Sequence, residues 1–529
     1  MPVYKINVKW QKERFKDVEC NTEESPEQLK AVLFSLTGVP PERQKVMMPG
    51  KILGDKNYDG IKLRNGITVM LMGTAEELPK MEVSEANIEE VKPRTESRVE
   101  LPHGIVNLGN TCYANAAVQL LYSVPEVRAA LEIANIEPNM NSLDGLSAHL
   151  RLLFTAMSKA TKPVIPAVFI TCLRTVCPQF AAQISPESEK EAAIGGLLPM
   201  LSGRFAQQDA NECWTQLMLA IQRVSINLNS IPKIPDVLSH GVGAGGSWNP
   251  VDRFFTGRLI CTLACAEAEE PVTETEESFT QLSCFINQDV KFLHTGIRNG
   301  FEGTVTKRSA TLERDAVYKK TSVLTRLPAY LSVHFVRFFY KEDKQLNAKI
   351  LKDVKFPLEL DLFTFCSDSL QKQLLPMREK FRLDEDLAVH GLTKKEVTGK
   401  TSDEPDPWKK PDLYEPYSLD SDPGSNNSGY YELQGVLSHQ GRTSSSGHYV
   451  AWVKVNGTWT KFDDDVVTAV TPEDILKLSG GGDWHCAYNL LYGPKRVRKH
   501  TDVTPQTSTM EIDSVVPKAT TLDGDQLSK

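Results

Sequence analysis

The chain has 529 residues, which is more than one compact domain usually holds. Its 60 basic and 68 acidic residues give a net charge of −8, which argues against nucleic acid as a main partner because phosphate binding favours a basic surface. No apolar run approaches the roughly 18 residues that a membrane span needs, and the charged N-terminus is unlike a signal peptide. Without such a segment we expect no membrane partner. The ten cysteines follow no dense framework, so we expect reduced thiols in a cytosolic or nuclear compartment.

Residues 1–75 have the pattern of a small separate domain. Apolar and polar residues alternate from Tyr4 to Trp10, which predicts a half-buried strand. Ser25-Pro26 predicts a helix start, and the apolar face of that helix is predicted to hold Leu29, Val32, Leu33 and Leu36. Strands follow on either side of the turn in KVMMPGKIL, and this order resembles ubiquitin-like β-grasp domains. The segment ends without a Gly-Gly pair, which indicates a docking module rather than a conjugated modifier.

The remaining chain divides by composition. Residues 76–97 are acidic and poor in large apolar residues, as in a linker. A second domain is predicted over 98–497, with irregular surface insertions near 239–250 and 394–428. The polar tail 498–529 is predicted to be disordered.

The stretch GIVNLGNTCYANAAVQLLYSVP contains a candidate nucleophile, Cys112. Good helix formers follow this cysteine, so it is predicted to lie in the first turn of a helix. The helix N-terminus is expected to lower the pKa of the thiol, because its free N–H groups favour a thiolate. The Cys112 backbone N–H and the side-chain amide of Asn107 are predicted to form an oxyanion hole.

A cysteine hydrolase needs a histidine as its general base, and His448 is the best placed of the ten histidines. A Ser/Gly loop delivers it to a strand that ends at an Asn456-Gly457 hairpin turn. That turn places Asp465 opposite His448 and Asp463 diagonally on the same face, with Asp464 on the other face unless a bulge intervenes. Both Asp463 and Asp465 therefore remain candidates to orient the imidazole.

The stretches GIVNLGNTCYANAAVQ and YYELQGVLSHQGRTSSSGHYVAWV, with WTKFDDDVV, resemble the two signature boxes of the ubiquitin-specific proteases. This resemblance implies an α+β chain in which a papain-like cysteine protease domain, built of fingers, palm and thumb, follows the ubiquitin-like domain. It implies a nucleophile at Cys112, a base at His448, an oxyanion-stabilising Asn107 and a third triad member at Asp463. The implied reaction is thiol-dependent hydrolysis of the isopeptide bond after the C-terminal glycine of ubiquitin, with no cofactor.

Substrate contacts are predicted at FAQQDANE, where Gln208, Asp209 and Glu212 could receive the basic tail of ubiquitin. The alternative for the two acids is simply to complement a helix N-terminus. Many relatives hold zinc in the fingers through two cysteine pairs. Here Cys261 and Cys265 form one pair and only Cys284 lies downstream, so no structural zinc is expected.

Two loops are predicted to gate the site. One contains Arg442, Ser444, Ser445 and Ser446, and the other contains Phe338, Phe339 and Tyr340. An N-terminal ubiquitin-like domain is similar to proteasome-associated members of the family, which implies ubiquitinated proteins and the proteasome regulatory particle as partners. The free enzyme is then expected to be weakly active until docking opens the loops. The competing interpretation is a ubiquitin-binding scaffold without catalysis, although such a scaffold need not keep Cys112, His448, Asn107 and Asp463.

Overall fold

The computed structural model describes residues 3–10, 13–22, 25–37, 39, 44–48, 51–53, 58, 64–72, 101–183, 205–227, 235–239, 247–341, 346–389, 410–443, 446–482 and 484–499. The chain divides into two compact units, Met1–Arg98 and Val99–Lys529. The predicted linker at 76–97 and the tail from 500 lie outside the described residues. Within the described residues, no helix has the length and apolar character needed to cross a bilayer.

The first unit is a five-stranded mixed sheet with one helix. Its elements are β1 (Val3–Trp10), β2 (Glu13–Asn21), α1 (Pro26–Thr37), β3 (Lys45–Met48), β4 (Lys51–Ile52) and β5 (Thr68–Met72). The strand order is β2-β1-β5-β3-β4, and β1 runs parallel to β5. This arrangement confirms the β-grasp prediction for the N-terminal unit.

The buried face of α1 is rotated relative to the face that its sequence predicts. Leu29 and Leu33 are buried, whereas Val32 and Leu36 remain 43% and 40% exposed. Lys30 is buried instead, at 8% exposed, so the predicted apolar face is wrong for Val32 and Leu36.

The second unit contains a helical part, two larger sheets and a short two-stranded pair. Its helices are α2 (Cys112–Tyr122), α3 (Pro125–Ile133), α4 (Leu143–Ser158), α5 (Ala167–Val176), α6 (Ala210–Gln222), α7 (Asp236–Ser239), α8 (Pro250–Phe254), α9 (Leu293–Phe301), α10 (Asp368–Val389) and α11 (Pro472–Leu476). Helices α2 to α6 share one continuous apolar core, and Trp214 of α6 is among its largest fully buried side chains.

The strands of this unit form a large sheet, a four-stranded sheet and a short pair. They are β6 (Ile226–Asn227), β7 (Ser247–Trp248), β8 (Gly257–Cys265), β9 (Thr273–Phe279), β10 (Leu282–Phe285), β11 (Glu302–Arg308), β12 (Asp315–Arg326), β13 (Leu331–Val336), β14 (Phe338–Lys341), β15 (Leu346–Lys349), β16 (Glu359–Asp361), β17 (Tyr430–Thr443), β18 (Ser446–Val455), β19 (Thr458–Asp463), β20 (Val466–Ala469) and β21 (Cys486–Pro494). The large sheet follows the order β10-β13-β21-β17-β18-β19-β20, with β15 and β16 also paired to β17. The four-stranded sheet, β11-β12-β8-β9, is the expected set of fingers.

Parts of the predicted surface insertions and tail belong to the fold. Residues 410–428 pack closely, because Tyr417 is buried and donates a hydrogen bond to Glu126 at 2.7 Å. In the other insertion, β7 pairs with β6, and α8 begins at Pro250. Arg498 of the predicted tail forms a β-bridge with Tyr414. A polar, glycine-rich or proline-rich composition concealed these contacts because short irregular segments carry no periodic apolar pattern.

Candidate active site

The loop that precedes α2 turns sharply to place Cys112 at the first position of the helix. Gly109 and Asn110 adopt positive φ values of 90° and 53°. The Asn107 side-chain oxygen accepts hydrogen bonds from the backbone N–H groups of Gly109 and Thr111, at 2.8 and 3.2 Å. The turn is therefore held internally, and it positions both the sulfur and the Asn107 amide.

The Cys112 thiol is buried, with the residue only 3% exposed. Burial raises its pKa to about 12, and the negative charge of Asp464 acts in the same direction. Backbone hydrogen bonds from Tyr449, Tyr113 and Cys112 itself act to lower the pKa but do not prevail. The expectation that the helix N-terminus would lower this pKa is therefore wrong, because desolvation outweighs the helix end. The resting thiol is protonated and needs a base.

The strand that carries the base packs against the helix that carries the thiol. The sulfur accepts a hydrogen bond from the backbone N–H of Tyr449, the residue that follows His448. Helix α2, which begins at Cys112, packs directly on β18, which carries His448. The structure thus brings together two residues that are more than three hundred positions apart in the chain.

Asp463 orients the histidine. Nε2 of His448 lies 2.6 Å from Oδ1 of Asp463, which leaves Nδ1 as the ring nitrogen available to exchange a proton with the thiol. Burial acts to raise the pKa of Asp463, but hydrogen bonds from Lys461 and His448 outweigh it and hold that pKa below its usual value. Nζ of Lys461 donates to Oδ2 of Asp463 at 2.8 Å. The carboxylate therefore stays ionised beside the imidazole.

The observed hairpin selects between the two candidate carboxylates. Val455 pairs with Thr458 and Ala451 with Phe462, which is the predicted register. Strand β19 ends at Asp463, and a turn follows in which Asp464 has a φ of 53°. Asp465 lies in this turn, exposed to solvent, so it does not continue the pairing toward His448.

Asp464 has a different set of partners. Its Oδ2 and Oδ1 accept hydrogen bonds from the side-chain amides of Asn107 and Asn115, each at 2.8 Å. Burial raises the pKa of this carboxyl against the effect of the two amides. Oδ2 also lies 4.0 Å from Nε2 of His448. Asp464 therefore links the predicted oxyanion residue Asn107 to helix α2 and to the turn beside the base. The second amide hydrogen of Asn107 is not used by Asp464.

Sequence reasoning missed Asn115 and the part played by Gly104. Asn115 lies three residues after Cys112 and is buried in helix α2. A polar residue among the apolar residues of this helix was the sequence signal that could have indicated a role in the site. A Cβ at Gly104 would lie 2.2 Å from the Asp464 carbonyl oxygen. Only glycine lets the chain at 104 approach the 464–465 turn this closely.

The predicted substrate contacts cluster at the start of α6. Oδ1 of Asp209 caps the helix by accepting from the N–H groups of Asn211 and Glu212, at 2.7 and 3.0 Å. Its Oδ2 accepts from the Tyr488 hydroxyl at 2.5 Å. Gln208 donates to the Ala206 carbonyl at 3.2 Å. Asp209 therefore performs the helix-capping role that was the alternative to substrate contact, and it does so beside aromatic side chains of the large sheet.

The two predicted gating loops are strands joined through β17. Phe338 begins β14, which pairs with β15, and Ala348 of β15 pairs with Thr443 at the end of β17. The Phe338 ring lies 5.5 Å from the His439 ring and 5.4 Å from the Tyr488 ring. The side chains of Phe339 and Tyr340, and residues Ser444 and Ser445, lie outside the described residues.

In the second predicted gating loop, Arg442 is exposed, and the hydroxyls of Ser446 and Thr443 lie 2.6 Å apart. The predicted loop 442–447 is therefore largely strand, since β17 runs to Thr443 and β18 starts at Ser446.

A buried lysine fastens the β14–β15 hairpin. Nζ of Lys349 lies 2.9 Å from Nδ1 of His439 and 2.6 Å from its carbonyl oxygen. Burial, followed by the lysine charge, lowers the pKa of His439 to about 3, so the imidazole is neutral and accepts from the ammonium. No periodic sequence signal pointed to this pair.

In the part of the chain that the structure describes, the cysteines in and near the fingers do not come together as a metal site. Cys265 pairs across strands with Tyr318, and a Cβ at Gly296 would lie 2.2 Å from the Cys284 sulfur, so that thiol packs against α9. Among the described residues, the one group whose ligand atoms lie close enough to hold a metal is His448, Asp463 and Asp464. These residues belong to the catalytic cluster, and the absence of zinc stays a prediction.

A buried thiol at a helix start and a histidine–carboxylate pair on the adjoining strand define a class of protein, the cysteine hydrolases. Comparison with known proteins agrees with this class. Residues 103–492 match the ubiquitin carboxyl-terminal hydrolase family, and residues 6–76 match the ubiquitin family. The chain therefore belongs to the ubiquitin carboxyl-terminal hydrolase family, and it is a cysteine-type deubiquitinase with an N-terminal ubiquitin-like domain. This confirms the predicted fold class and enzyme class.

Similar proteins cover nearly the whole chain. Ubiquitin carboxyl-terminal hydrolase 14 of Caenorhabditis elegans is 38% identical over 97% of this chain and 97% of its own length. Ubiquitin carboxyl-terminal hydrolase 7 of Arabidopsis thaliana is 38% identical over 92% of this chain and 98% of its own. Ubiquitin carboxyl-terminal hydrolase 6 of Schizosaccharomyces pombe is 36% identical over 93% of this chain and 99% of its own. The similarity therefore includes both units.

Proposed function

We propose that this deubiquitinase acts on ubiquitinated proteins at the proteasome and docks on the regulatory particle through its ubiquitin-like unit. The observation that carries the proposal is an exposed methionine face on the sheet of that unit. Met47, Met70 and Met72 are 43%, 46% and 50% exposed, and Met47 pairs directly with Met70. Methionine-rich apolar patches on small domains favour protein binding because the side chains are flexible and polarisable.

The docking proposal is tested by binding to purified proteasome regulatory particle. Replacing Met47 and Met70 together by lysine should weaken binding about tenfold or more, because both side chains would leave the centre of the interface. Leu36→Lys is the matched control, since Leu36 is similarly exposed but lies on α1. Equal binding by the double variant and the wild type would exclude the methionine face as the docking surface.

The proposed chemistry follows from the positions of four side chains. His448 takes the Cys112 proton on Nδ1 while its Nε2 stays on Asp463, and the thiolate attacks the carbonyl carbon after the C-terminal glycine of ubiquitin. Asn107 and the Cys112 backbone N–H stabilise the oxyanion. His448 protonates the leaving lysine amine, and water, deprotonated by the same imidazole, then cleaves the thioester and regenerates the thiol.

Gating by the β14–β15 hairpin and the 442–447 segment is part of the proposal. Both segments join at β17, close to the His439, Tyr449 and Tyr488 rings that adjoin the catalytic residues. We expect the free enzyme to hydrolyse a fluorogenic ubiquitin substrate more slowly than the proteasome-bound enzyme. Equal rates in the two states would rule out gating without affecting the docking proposal.

A ubiquitin C-terminal electrophile probe separates catalysis from a pure scaffold function. Wild-type protein should be labelled at Cys112, with stronger labelling when the regulatory particle is present, and Cys112→Ala should not be labelled. Absence of labelling in both conditions would favour the scaffold.

The proposed site of action is the cytosol or the nucleus. All ten cysteines, each in the described part of the chain, are free thiols, which suits a reducing compartment. Fractionation of cells followed by immunodetection tests this placement.

A further inference from the structure

The catalytic histidine belongs to a closed ring of side-chain contacts that extends beyond the triad. In order around the ring the members are His448, Asp463, Lys461, Trp452, Ser438 and His485. Nζ of Lys461 contacts both Asp463 and the face of the Trp452 ring, 5.5 Å from its centroid. The ring closes where His485 meets His448 with centroids 6.4 Å apart at an interplanar angle of 69°, an edge-to-face arrangement.

The Ser438 hydroxyl joins the indole and the imidazole on the far side of this ring. The Trp452 indole N–H can only donate, and it donates to the Ser438 hydroxyl oxygen at 2.7 Å. Nδ1 of His485 lies 3.2 Å from the same oxygen, and the Ser438 hydroxyl also reaches the Val450 carbonyl at 3.4 Å. Ser438 therefore anchors the His485 ring through Nδ1.

His485 is held in its neutral form. Burial first, and then the charges of Lys461, His448 and Lys349, lower its pKa to about 4 against the opposing charge of Asp463. A neutral neighbour does not repel the imidazolium that forms on His448 when the thiol is deprotonated. A charged neighbour at the same distance would oppose that imidazolium in this buried setting.

Burial of these polar groups is costly unless they are paired. Ser438 is completely buried, and His485 and Trp452 are each 5% exposed. A serine, a histidine and an indole N–H placed together in a sheet core satisfy one another, yet a wholly apolar trio would avoid the cost of burial altogether. Because His485 contacts the general base His448, a role in positioning that base explains why these three buried side chains are polar.

We propose that His485 is a positioning residue for His448, and that Ser438 and Trp452 hold it in place through Nδ1. The edge-to-face contact limits rotation of the catalytic imidazole, so that Nε2 stays on Asp463 and Nδ1 remains available to exchange a proton with Cys112. The inference rests on the proposed role of His448 as base, and it adds three residues that act through that base without touching substrate.

Steady-state kinetics with a fluorogenic ubiquitin substrate, measured against pH, tests the inference. His485→Gln should lower kcat about tenfold and leave KM within about twofold, because misplacement of a base slows the chemical step without removing substrate contacts. Since glutamine does not titrate, the acid limb of its pH profile should stay where the wild-type limb lies. His294→Gln is the matched control, because His294 packs on Phe365 in the other apolar core of this unit and should leave the kinetics unchanged.

Ser438→Ala should lower kcat and leave KM nearly unchanged, as His485→Gln does, because it removes the hydroxyl that holds His485 through Nδ1. Ser438→Thr keeps the hydroxyl and should restore kcat.

The result that overturns the proposal is wild-type kcat in His485→Gln. A fall in thermal stability with normal kcat per folded enzyme would overturn it equally, since that is a purely structural effect. His485→Gln leaves the Trp452–Ser438 hydrogen bond intact, so it decides the matter even if Ser438→Ala does not fold. Loss of all hydrolysis by wild-type enzyme would instead contradict the proposed function.

Discussion

Two adjacent carboxylates have separate tasks in this active site. Asp463 accepts hydrogen bonds from Lys461 and His448, and its pKa is lowered despite burial. Asp464 faces two neutral amides, and its pKa is raised because burial dominates. The pKa shifts of these neighbouring residues have opposite signs because their side chains face different partners. Asp463 ends a strand, whereas Asp464 takes a positive φ in the turn.

Replacing Asp464 by asparagine should slow catalysis by about tenfold to a hundredfold. The new amide group cannot accept on both atoms, so Asn107 or Asn115 would lose its acceptor and the oxyanion donor would lose its fixed position. Single-turnover acylation kinetics should show the loss. Asp465→Asn, in the same turn but exposed, serves as the control, and a similar rate loss in both variants would argue against a specific role for Asp464.

The Asp463 interactions predict how stability depends on pH. A carboxyl whose pKa is lower in the folded state stabilises that state above its unfolded pKa of about 3.9, and the stabilisation disappears as pH falls through the folded value. The free energy of unfolding should therefore be higher for wild type than for Asp463→Asn at pH 7, and the difference should shrink below about pH 4. Urea titrations at several pH values measure it. A difference that grew on acidification would contradict the assigned ion pairs.

At the scale of elements, the β14–β15 hairpin depends on one buried cation. Lys349 bonds both the ring and the carbonyl of His439, and so links β15 to β17 beyond the single pairing of Ala348 with Thr443. A hairpin held by so few strand contacts can open without unfolding the sheet. Its position beside Tyr449 and Tyr488 makes it the natural moving part of the proposed gate.

Lys349→Met should increase hydrolysis by the free enzyme up to about tenfold. A hydrogen bond to a charged group contributes about 1.5 to 3 kcal/mol, and losing it shifts the hairpin toward open states. Rates with and without the proteasome should then differ less than in the wild type. Lys352→Met is the control because its ammonium bonds the carbonyls of Asn287 and Gln288 instead. Unchanged basal activity in Lys349→Met would separate this lysine from gating.

At the scale of the whole molecule, the two units have separate apolar cores. Among the described residues, the core of the first unit contains Ile6, Leu33 and Leu71, and the two cores of the second unit are built from that unit's own residues. Each unit therefore has the main requirement for independent folding, a core of its own.

Calorimetry of the full chain should show two unfolding transitions. A destabilising change in the small core, Leu33→Ala, should move only one of them, because a cavity acts on the core in which it lies. The matched change Leu217→Ala in the core around α6 should move the other transition. Deubiquitination of a fluorogenic substrate should survive Leu33→Ala. A single transition shifted by both variants would mean that the units unfold together.

Local patterns in the sequence were enough to predict several elements. The alternation at Tyr4–Trp10, the helix start at Pro26 and the Asn456-Gly457 hairpin each depend on neighbours within a few residues. Cys112 and His448 stood out for a similar reason, because each follows a loop whose composition is unusual in itself. Together with family resemblance, these patterns determined the fold class, the chemistry and the nucleophile and base that we propose.

Tertiary structure alone decided the features that join distant segments. It decided that burial keeps the Cys112 thiol protonated, that Asp464 serves Asn107 and Asn115, that Lys349 fastens a hairpin to His439, and that His485 meets the base. Desolvation and hydrogen bonding between residues hundreds of positions apart depend on the packed arrangement of helix α2 against the large sheet. No pattern along the chain encodes that proximity, so these properties first become visible when the chain is folded.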